Sequence, residues 1–309
     1  MTTTLFTHTA CLNHDNGLGH PESPDRLRAI LAELDKPIYQ NLLRKEAPLA
    51  SRDDIARVHD EAYIEDVFDQ IPPTGFVKLD ADTSVSPGSG KAALRAAGAV
   101  IAAVDDVLMG QTTNAFCAVR PPGHHAEYAT PMGFCLFGNI AIGAAHALIA
   151  HKIKHIAILD FDVHHGNGTE EWASDEEGVL FISSHQFPLW PGTGLATDRG
   201  AYGNILNLPL LPDTDGAGFR KVMREKALPA IDQFKPELIM ISAGFDAHKD
   251  DPLAGLRLTE DDFYWITKEL TALAQTHCQG RLVSSLEGGY DLKALAASAG
   301  AHIKALLEA

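Results

Sequence analysis

The chain has 309 residues, of which 45% are hydrophobic, and its 41 acidic and 25 basic residues give a formal charge of −16. An acidic surface repels nucleic acid phosphates and attracts cations, so lysine-containing peptides or polyamines suit this chain better than nucleic acids or anionic substrates. No window reaches the roughly 18 apolar residues of a membrane span, and the N-terminus lacks the pattern of a signal peptide, so we expect no membrane association.

The cysteine positions indicate the cellular compartment, and the distribution of glycine and proline indicates the number of domains. Cys11, Cys117, Cys135 and Cys278 lie far apart without a C-x-x-C motif, which predicts reduced thiols in a cytoplasmic protein. Glycine and proline are scattered, with no linker, repeat or low-complexity tract. We therefore expect one domain over residues 1–309, and the pattern predicts no particular oligomeric state.

Short apolar runs alternate with helical stretches along the chain. The predicted strands are residues 114–119, 155–159, 179–183, 205–208, 238–242 and 281–286. The predicted helices are residues 89–109, 139–150, 217–234, 259–276 and 292–307. Because each strand is almost continuously apolar, the alternation predicts an α/β fold with a central, mostly parallel sheet and helices on both faces.

The most informative segment is residues 156–169, in which four apolar residues run directly into Asp160, Asp162, His164 and His165. Burying unpaired charge is costly, and a metal ion or a catalytic network is the usual compensation. Asp162 and His164 are two residues apart, so on extended backbone they point to the same side and can share one ion. The segment therefore predicts a metal site.

Other ionisable residues also follow predicted strands. They are His124 and His125, His185, Asp246, and Glu287 with Tyr290. Each has an ordinary structural explanation when taken alone, since Asp246, for example, could cap a helix or form a turn. In an open parallel sheet, however, sites form at the carboxyl ends of the strands, so five such segments in succession predict one pocket.

The order of these motifs resembles the zinc-dependent histone deacetylase superfamily. The runs that carry the resemblance are Arg120-Pro121-Pro122-Gly123-His124-His125, Gly133-Phe134-Cys135, residues 160–169, Ser183-Ser184-His185, Pro191-Gly192-Thr193-Gly194, residues 242–248 and Glu287-Gly288-Gly289-Tyr290. The likeness begins at His20 and covers nearly the full chain. Asn167 and the Gly-Phe-Asp-Ala-His run at residues 244–248 resemble the class II branch and its bacterial relatives.

The resemblance implies an arginase-like fold and one catalytic zinc ion, held by Asp162, His164 and Asp246. Three protein ligands leave a coordination position for water and substrate, as catalytic zinc sites do. Two oxygens and one nitrogen form a harder ligand set than most zinc sites, so Fe(II) or Co(II) could also serve. The resemblance further implies a structural potassium ion near Asp160, Asp162 and the carbonyls around His164 and Ser183.

The same resemblance assigns the catalytic residues. His125 is the main general base and later protonates the departing amine, while His124 is its electrostatic partner. Asp160 is expected to orient His124, and Asn167 to orient His125, because an imidazole needs a hydrogen-bond acceptor to fix its tautomer. Tyr290 would donate its hydroxyl hydrogen to the oxyanion opposite the metal.

The substrate-binding residues follow from family position as well. Phe134 and Trp190 would form the aromatic walls of a narrow channel, and the carbonyl of Gly133 would accept the substrate amide N–H. Gly289, with Gly288, would let the loop swing Tyr290 inwards.

The resemblance implies a metal-dependent hydrolase that removes acetyl or other short acyl groups from the side-chain amine of acyl-lysine in a peptide or protein. An acetylpolyamine amidohydrolase is the alternative, because both substrates present an acetamide on an alkyl chain. Two further readings are a binuclear arginase-type hydrolase and a non-catalytic acyl-lysine binder. The first lacks a second carboxylate beyond His164, where His165 and Gly166 follow, and the second is disfavoured by a full set of competent residues.

Overall fold

The computed structural model describes residues 2–309, and its centre is an eight-stranded sheet in the order β2-β1-β5-β10-β9-β6-β7-β8. All neighbouring strands of this sheet run parallel. Its strands are β1 (Thr3–Thr7), β2 (Leu43–Glu46), β5 (Asn114–Cys117), β6 (Ile156–Asp160), β7 (Val179–Gln186), β8 (Ile205–Leu210), β9 (Leu238–Ala243) and β10 (Leu282–Leu286). A separate antiparallel pair is formed by β3 (Val77–Lys78) and β4 (Ser84–Val85).

Within residues 2–309, ten α-helices lie around the sheet. They are α1 (Pro24–Leu34), α2 (Arg52–Ile55), α3 (Glu61–Asp69), α4 (Ser89–Leu108), α5 (Asn139–Ala150), α6 (Asn167–Ser174), α7 (Gly216–Val222), α8 (Leu228–Phe234), α9 (Glu260–Cys278) and α10 (Leu292–Leu307).

Helices cover both faces of the sheet, as the alternation of side chains along β9 and β10 shows. Successive strand residues point to opposite faces. Met240 of β9 packs against Gly143 of α5, whereas Ser284, which lies beside Ile241 in register, hydrogen-bonds His302 of α10 at 2.8 Å. The predicted α/β fold with a parallel sheet between two helical layers is therefore confirmed.

The sequence patterns missed the first two strands. Thr3 and Thr4 of β1 are buried although they are polar, and the Thr3 hydroxyl finds its partner in the carbonyl of Leu306 at 3.2 Å. All four residues of β2 are exposed, because β2 is the edge strand, so it has no apolar face for a pattern to detect. Helices α1, α2, α3 and α6 were also not predicted.

The prediction of one continuous helix over residues 217–234 is wrong in one respect. The segment comprises α7 and α8 joined by a π-helical turn at Met223–Ala227. Pro229, near the start of α8, has no N–H to donate to the preceding turn, and such a missing bond favours a local change of helix type.

Two further observations concern the described residues as a whole. No helix within residues 2–309 is long and apolar enough to cross a membrane. All four cysteines are buried and free, as expected for reduced thiols.

Candidate active site

The residues predicted to bind metal meet at the carboxyl edge of the sheet. Asp162 and His164 follow β6, and Asp246 follows β9, its neighbour in the sheet. One ligand atom from each of the three lies within 4.8 Å of the others. Both carboxylates are buried, while His164 keeps 12% of its side chain exposed.

The hydrogen bonds in this cluster leave room for a cation. Backbone N–H groups of Gly288 and Val163 donate to Asp162 Oδ2 at 2.7 Å and to Asp246 Oδ1 at 2.8 Å. The other oxygens face His164 Nδ1, which lies 3.2 Å from Asp162 Oδ1 and 3.0 Å from Asp246 Oδ2. One imidazole nitrogen carries at most one hydrogen, so it can donate to only one of these two oxygens, and Asp162 Oδ1 also accepts from the backbone N–H of His164 at 2.9 Å. Two oxygens and one nitrogen around this gap fit a zinc ion or a similar dication.

The charge of the cluster also favours a bound cation. Burial and the neighbouring charge of Asp162 raise the pKa of Asp246 to about 7, although His164 opposes this. Two carboxylates that share one buried site cannot both ionise without a compensating cation. The donor set therefore fits the metal ion that the family resemblance implies.

The backbone at Gly288 encloses the two carboxylates. A Cβ on Gly288 would collide with Asp246 Oδ2 and lie 2.5 Å from Asp162 Oδ2. The next residue, Gly289, has φ of +120°, in a region that favours glycine. This turn after β10 therefore packs directly on the candidate ligands.

His124 and His125 lie side by side with different partners. Their rings are 3.9 Å apart, centroid to centroid. His124 Nδ1 is 2.8 Å from Asp160 Oδ2, a carboxylate, and His125 Nδ1 is 2.8 Å from Asn167 Oδ1, an amide oxygen. The Asn167 amide is itself oriented, because its Nδ2 donates to Glu127 Oε1 at 2.7 Å. Each imidazole thus donates from Nδ1, which leaves Nε2 of His125 free to accept a proton.

The different partners of His124 and His125 give the two histidines different pKa values. Burial lowers the pKa of His124, but the charges of Asp160 and Asp162 outweigh it and raise that pKa to about 10. Burial and the charge of His124 hold the pKa of His125 well below its ordinary value. The pair therefore consists of a charged imidazolium beside a neutral imidazole.

Tyr290 reaches the site from the turn after β10. Its ring packs edge-on to Phe134 at 5.8 Å, and its backbone N–H donates to Asp251 Oδ2 at 2.7 Å. Burial raises the pKa of the phenol well above its usual value, although Arg26 opposes the shift, so the hydroxyl stays a hydrogen donor.

Arg26 holds this turn in place through hydrogen bonds, a role that the sequence analysis did not predict. Its Nε and Nη2 donate to the carbonyls of Gly289 at 2.6 Å and Glu287 at 2.5 Å, and its guanidinium lies 4.9 Å from the Tyr290 ring centroid. Glu22 pairs with both Arg26 and Arg120 in the fully buried interior, so its single carboxylate is shared by two guanidinium groups. Nothing in the local sequence around Arg26 signals its contacts with this turn, because the two carbonyls that it binds lie more than 250 residues away.

The two predicted channel walls lie on different sides of the site. Trp190 is 4.7 Å from the His125 ring, whereas Phe134 contacts Tyr290. A Cβ on Gly133 would collide with the His125 ring and lie 2.6 Å from Trp190, so only glycine leaves this space open. Trp190 is 42% exposed, so it lies at the solvent-facing side of the site.

The strand ends converge as the motifs predicted, with two differences of detail. Asp160 is the last residue of β6 rather than the residue after it, and His185 lies within β7. The nitrogens of His185 face Ser183 Oγ and the carbonyl of Gly194, both at 2.9 Å. His185 is therefore held by its own hydrogen bonds next to the site, apart from the candidate ligands.

Comparisons with known proteins agree with this arrangement. The family model described as "Histone deacetylase domain" matches residues 20–306. Histone deacetylase 14, chloroplastic, of Arabidopsis thaliana is 39% identical over 98% of this chain and 76% of its own length. The histone deacetylase-like amidohydrolase of Pseudomonas aeruginosa is 40% identical over 88% of this chain and 73% of its own. The crystal structure of the HDA15 HD domain superposes with a TM-score of 0.94 at 34% identity, over 99% of this chain and 88% of that chain.

Proposed function

This chain belongs to the histone deacetylase family of hydrolytic enzymes, and we propose that it removes acetyl or other short acyl groups from the side-chain amine of acyl-lysine. The observation that carries the proposal is the buried Asp162–His164–Asp246 cluster beside the His124–Asp160 and His125–Asn167 pairs. We take residues 1–309 as one catalytic domain in a cytoplasmic protein.

Asp162, His164 and Asp246 would hold one zinc ion. When bound there, zinc polarises the amide carbonyl and lowers the pKa of a water molecule towards neutrality. The chain's own task at this point is to keep the two carboxylates ionised and aimed, which the backbone N–H groups of Gly288 and Val163 do.

The two histidines then have separate roles, proton transfer for His125 and charge stabilisation for His124. His125, neutral at Nε2, takes a proton from the attacking water and passes it to the departing lysine amine. His124, charged through its bond to Asp160, stabilises the negative charge that develops on the substrate. The amide of Asn167 orients His125 without adding a negative charge, so the imidazole remains a base of low pKa.

Tyr290 donates its hydroxyl hydrogen to the carbonyl oxygen as that oxygen gains negative charge. Phe134 and Trp190 enclose the alkyl chain of the substrate, and the Gly133 carbonyl accepts its amide N–H. The Gly288–Gly289 turn and Arg26 set the position of Tyr290 relative to the channel.

The rim favours a peptide over a polyamine. A groove of about 940 Å³ is lined by parts of residues 12–18, by residues 75–76 and 86–88, and by Pro24 and Arg28 of α1, and Leu18 and Phe76 are among its apolar residues. His20, which follows the first of these segments, packs on Phe134 with ring centroids 4.7 Å apart, so this groove lies near one of the residues proposed to form the channel. Such a groove suits residues flanking an acyl-lysine, whereas an acetylpolyamine has no flanking residues to place there.

The binuclear alternative finds no support around His165. Both of its nitrogens are engaged, Nδ1 with Thr193 Oγ1 at 2.8 Å and Nε2 with Glu170 Oε2 at 2.9 Å. A structural potassium ion near Asp160 and the carbonyls around His164 and Ser183 stays a prediction from the family resemblance.

Initial rates on matched substrates test the proposal. The zinc-loaded enzyme is compared on acetyl-lysine peptides, longer acyl-lysine peptides and acetylpolyamines, with metal content measured on the same sample. We expect the highest kcat/KM for a short acyl-lysine peptide. A higher value for an acetylpolyamine would establish the alternative substrate, and no turnover even of trifluoroacetyl-lysine would indicate a non-catalytic binder.

A further inference from the structure

A second cluster of histidine and carboxylate lies at the opposite edge of the sheet. Asp105 is near the end of α4, His146 is in the last turn but one of α5, and His151 directly follows α5. Helix α5 begins just after the loop that carries His124 and His125 and ends shortly before β6 starts. It therefore runs from the carboxyl edge to the amino edge, and the cluster is separated from the active site by the length of this helix.

The three side chains converge on one point. His146 Nε2 and His151 Nε2 lie 2.7 Å and 2.6 Å from the same oxygen, Asp105 Oδ1. The imidazole rings are 5.5 Å apart and nearly perpendicular, at 71°. In a tetrahedral zinc site with bonds of about 2.0–2.1 Å, ligand atoms are roughly 3.3 Å apart, so a small outward shift of Asp105 would admit an ion.

We propose that Asp105, His146 and His151 form a second binding site for a transition-metal dication, separate from the catalytic centre. Two imidazole nitrogens select zinc, nickel or copper over magnesium and calcium, which prefer oxygen ligands. The side chains are 33%, 12% and 19% exposed in that order, so an ion can enter from solvent and a water molecule can complete its shell.

The position of the cluster favours a cation. It lies at the C-terminal ends of α4 and α5, where the helix dipoles place partial negative charge. The bound ion would join α4 and α5. These helices already pack together, for example where the Val100 side chain lies against Gly143.

Arg57 opposes metal binding in the present arrangement. Its Nη1 donates to His146 Nδ1 at 2.9 Å, so that nitrogen carries no hydrogen and Nε2–H donates to Asp105. An ion on Nε2 requires the hydrogen to move to Nδ1, and Arg57 must then release it. Asp54, whose Oδ1 is 3.1 Å from Arg57 Nη2, can retain the released guanidinium.

Because Arg57 competes with metal binding at His146, substituting Arg57 should change zinc affinity. A cluster held only by hydrogen bonds would not show this effect. In Arg57→Gln, the amide oxygen can accept the Nδ1 hydrogen and support the metal-bound tautomer of His146. Partners of this kind change metal affinity by about 10- to 100-fold, so we expect Arg57→Gln to bind zinc at least about tenfold more tightly at this site.

Zinc stoichiometry by equilibrium dialysis tests the site. We expect two equivalents in the wild type, one in Asp246→Ala and one in His146→Gln/His151→Gln. The control is His277→Gln, because His277 pairs with a carboxylate, Asp232 at 2.8 Å, but has no second imidazole there, so this variant should keep two equivalents. Two equivalents in the folded double variant, or one in the wild type under excess zinc, would overturn the proposal.

A second measurement does not depend on any variant folding. In wild-type crystals soaked with zinc, we expect an anomalous peak about 2 Å from Asp105, His146 and His151. A peak at the catalytic cluster with none between α4 and α5 would overturn the second site while leaving the proposed deacetylase function intact.

Discussion

The two edges of the sheet carry similar donors in opposite surroundings. At the carboxyl edge, Asp162 and Asp246 are buried, accept hydrogen bonds from backbone N–H groups and share a single imidazole nitrogen, so two acidic groups lie close together out of solvent. At the amino edge, Asp105 is one-third exposed, and the Nε2 atoms of His146 and His151 both lie within hydrogen-bond distance of its Oδ1. Burial of two carboxylates therefore favours a cation at the first edge, while solvent exposure makes the second edge less dependent on one.

The largest expected effect comes from removing a ligand at the buried edge. Asp246→Ala should lose the catalytic metal and reduce kcat/KM by about 10³-fold or more, because the Lewis acid supplies several kcal/mol of transition-state stabilisation. Metal analysis and initial rates on an acetyl-lysine peptide check this. His151→Gln, at the exposed edge, is the control and should keep wild-type activity; equal activity in both variants would contradict the comparison.

Tyr290→Phe separates metal binding from oxyanion stabilisation. Loss of one such hydrogen donor should lower kcat by about 10²–10³-fold while metal content stays at the wild-type value. The ring and its contact with Phe134 are retained, so the fold is not perturbed. Wild-type turnover in this variant would show that Tyr290 has no catalytic role.

His302 shows what burial does to an imidazole without any carboxylate. Thr267 donates its hydroxyl hydrogen to the Phe263 carbonyl, so it accepts from His302 Nδ1–H at 2.7 Å, and His302 Nε2 accepts from Ser284. Burial lowers the pKa of His302 to about 3. The folded state thus binds fewer protons than the unfolded state, so this stability is present above the unfolded pKa of about 6.5 and is lost as pH falls towards 3.

Between pH 7 and pH 5 this linkage should cost about 2 kcal/mol of unfolding free energy. Urea unfolding at the two pH values measures it in the wild type. His302→Gln, which keeps a donor and an acceptor, should lose about that much of the pH dependence. An unchanged pH dependence in this variant would mean that His302 is not buried as a neutral imidazole.

The smallest effect concerns the partner of the catalytic base. Asn167→Asp would place a carboxylate on His125 and raise its pKa, so the acid limb of the kcat/KM profile should move to higher pH by about one unit. Glu127→Gln is added to this variant, because Glu127 lies 2.7 Å from the Asn167 amide and would repel the new carboxylate. Glu127→Gln alone is the control, and an acid limb that stays in place would remove His125 from the role of base.

The sequence revealed the residues that strand ends bring together and missed those joined by other means. Asp160, Asp162 and His164 were visible because they interrupt a buried strand within five residues. Arg26 was not, since it acts through main-chain carbonyls of a turn far along the chain. The amino-edge cluster was also invisible, because His146 and His151 are five residues apart, which is not a same-face helical spacing, and Asp105 lies on another helix.

Anomalous diffraction at the zinc edge from the active wild-type enzyme tests the central claim most directly. Our account predicts one strong peak at the carboxyl edge, within about 2.0–2.2 Å of Asp162, His164 and Asp246, with the Tyr290 hydroxyl facing it across the channel. A peak elsewhere with none among these three residues, or two peaks about 3.5–4 Å apart at this edge, would contradict a mononuclear deacetylase centre.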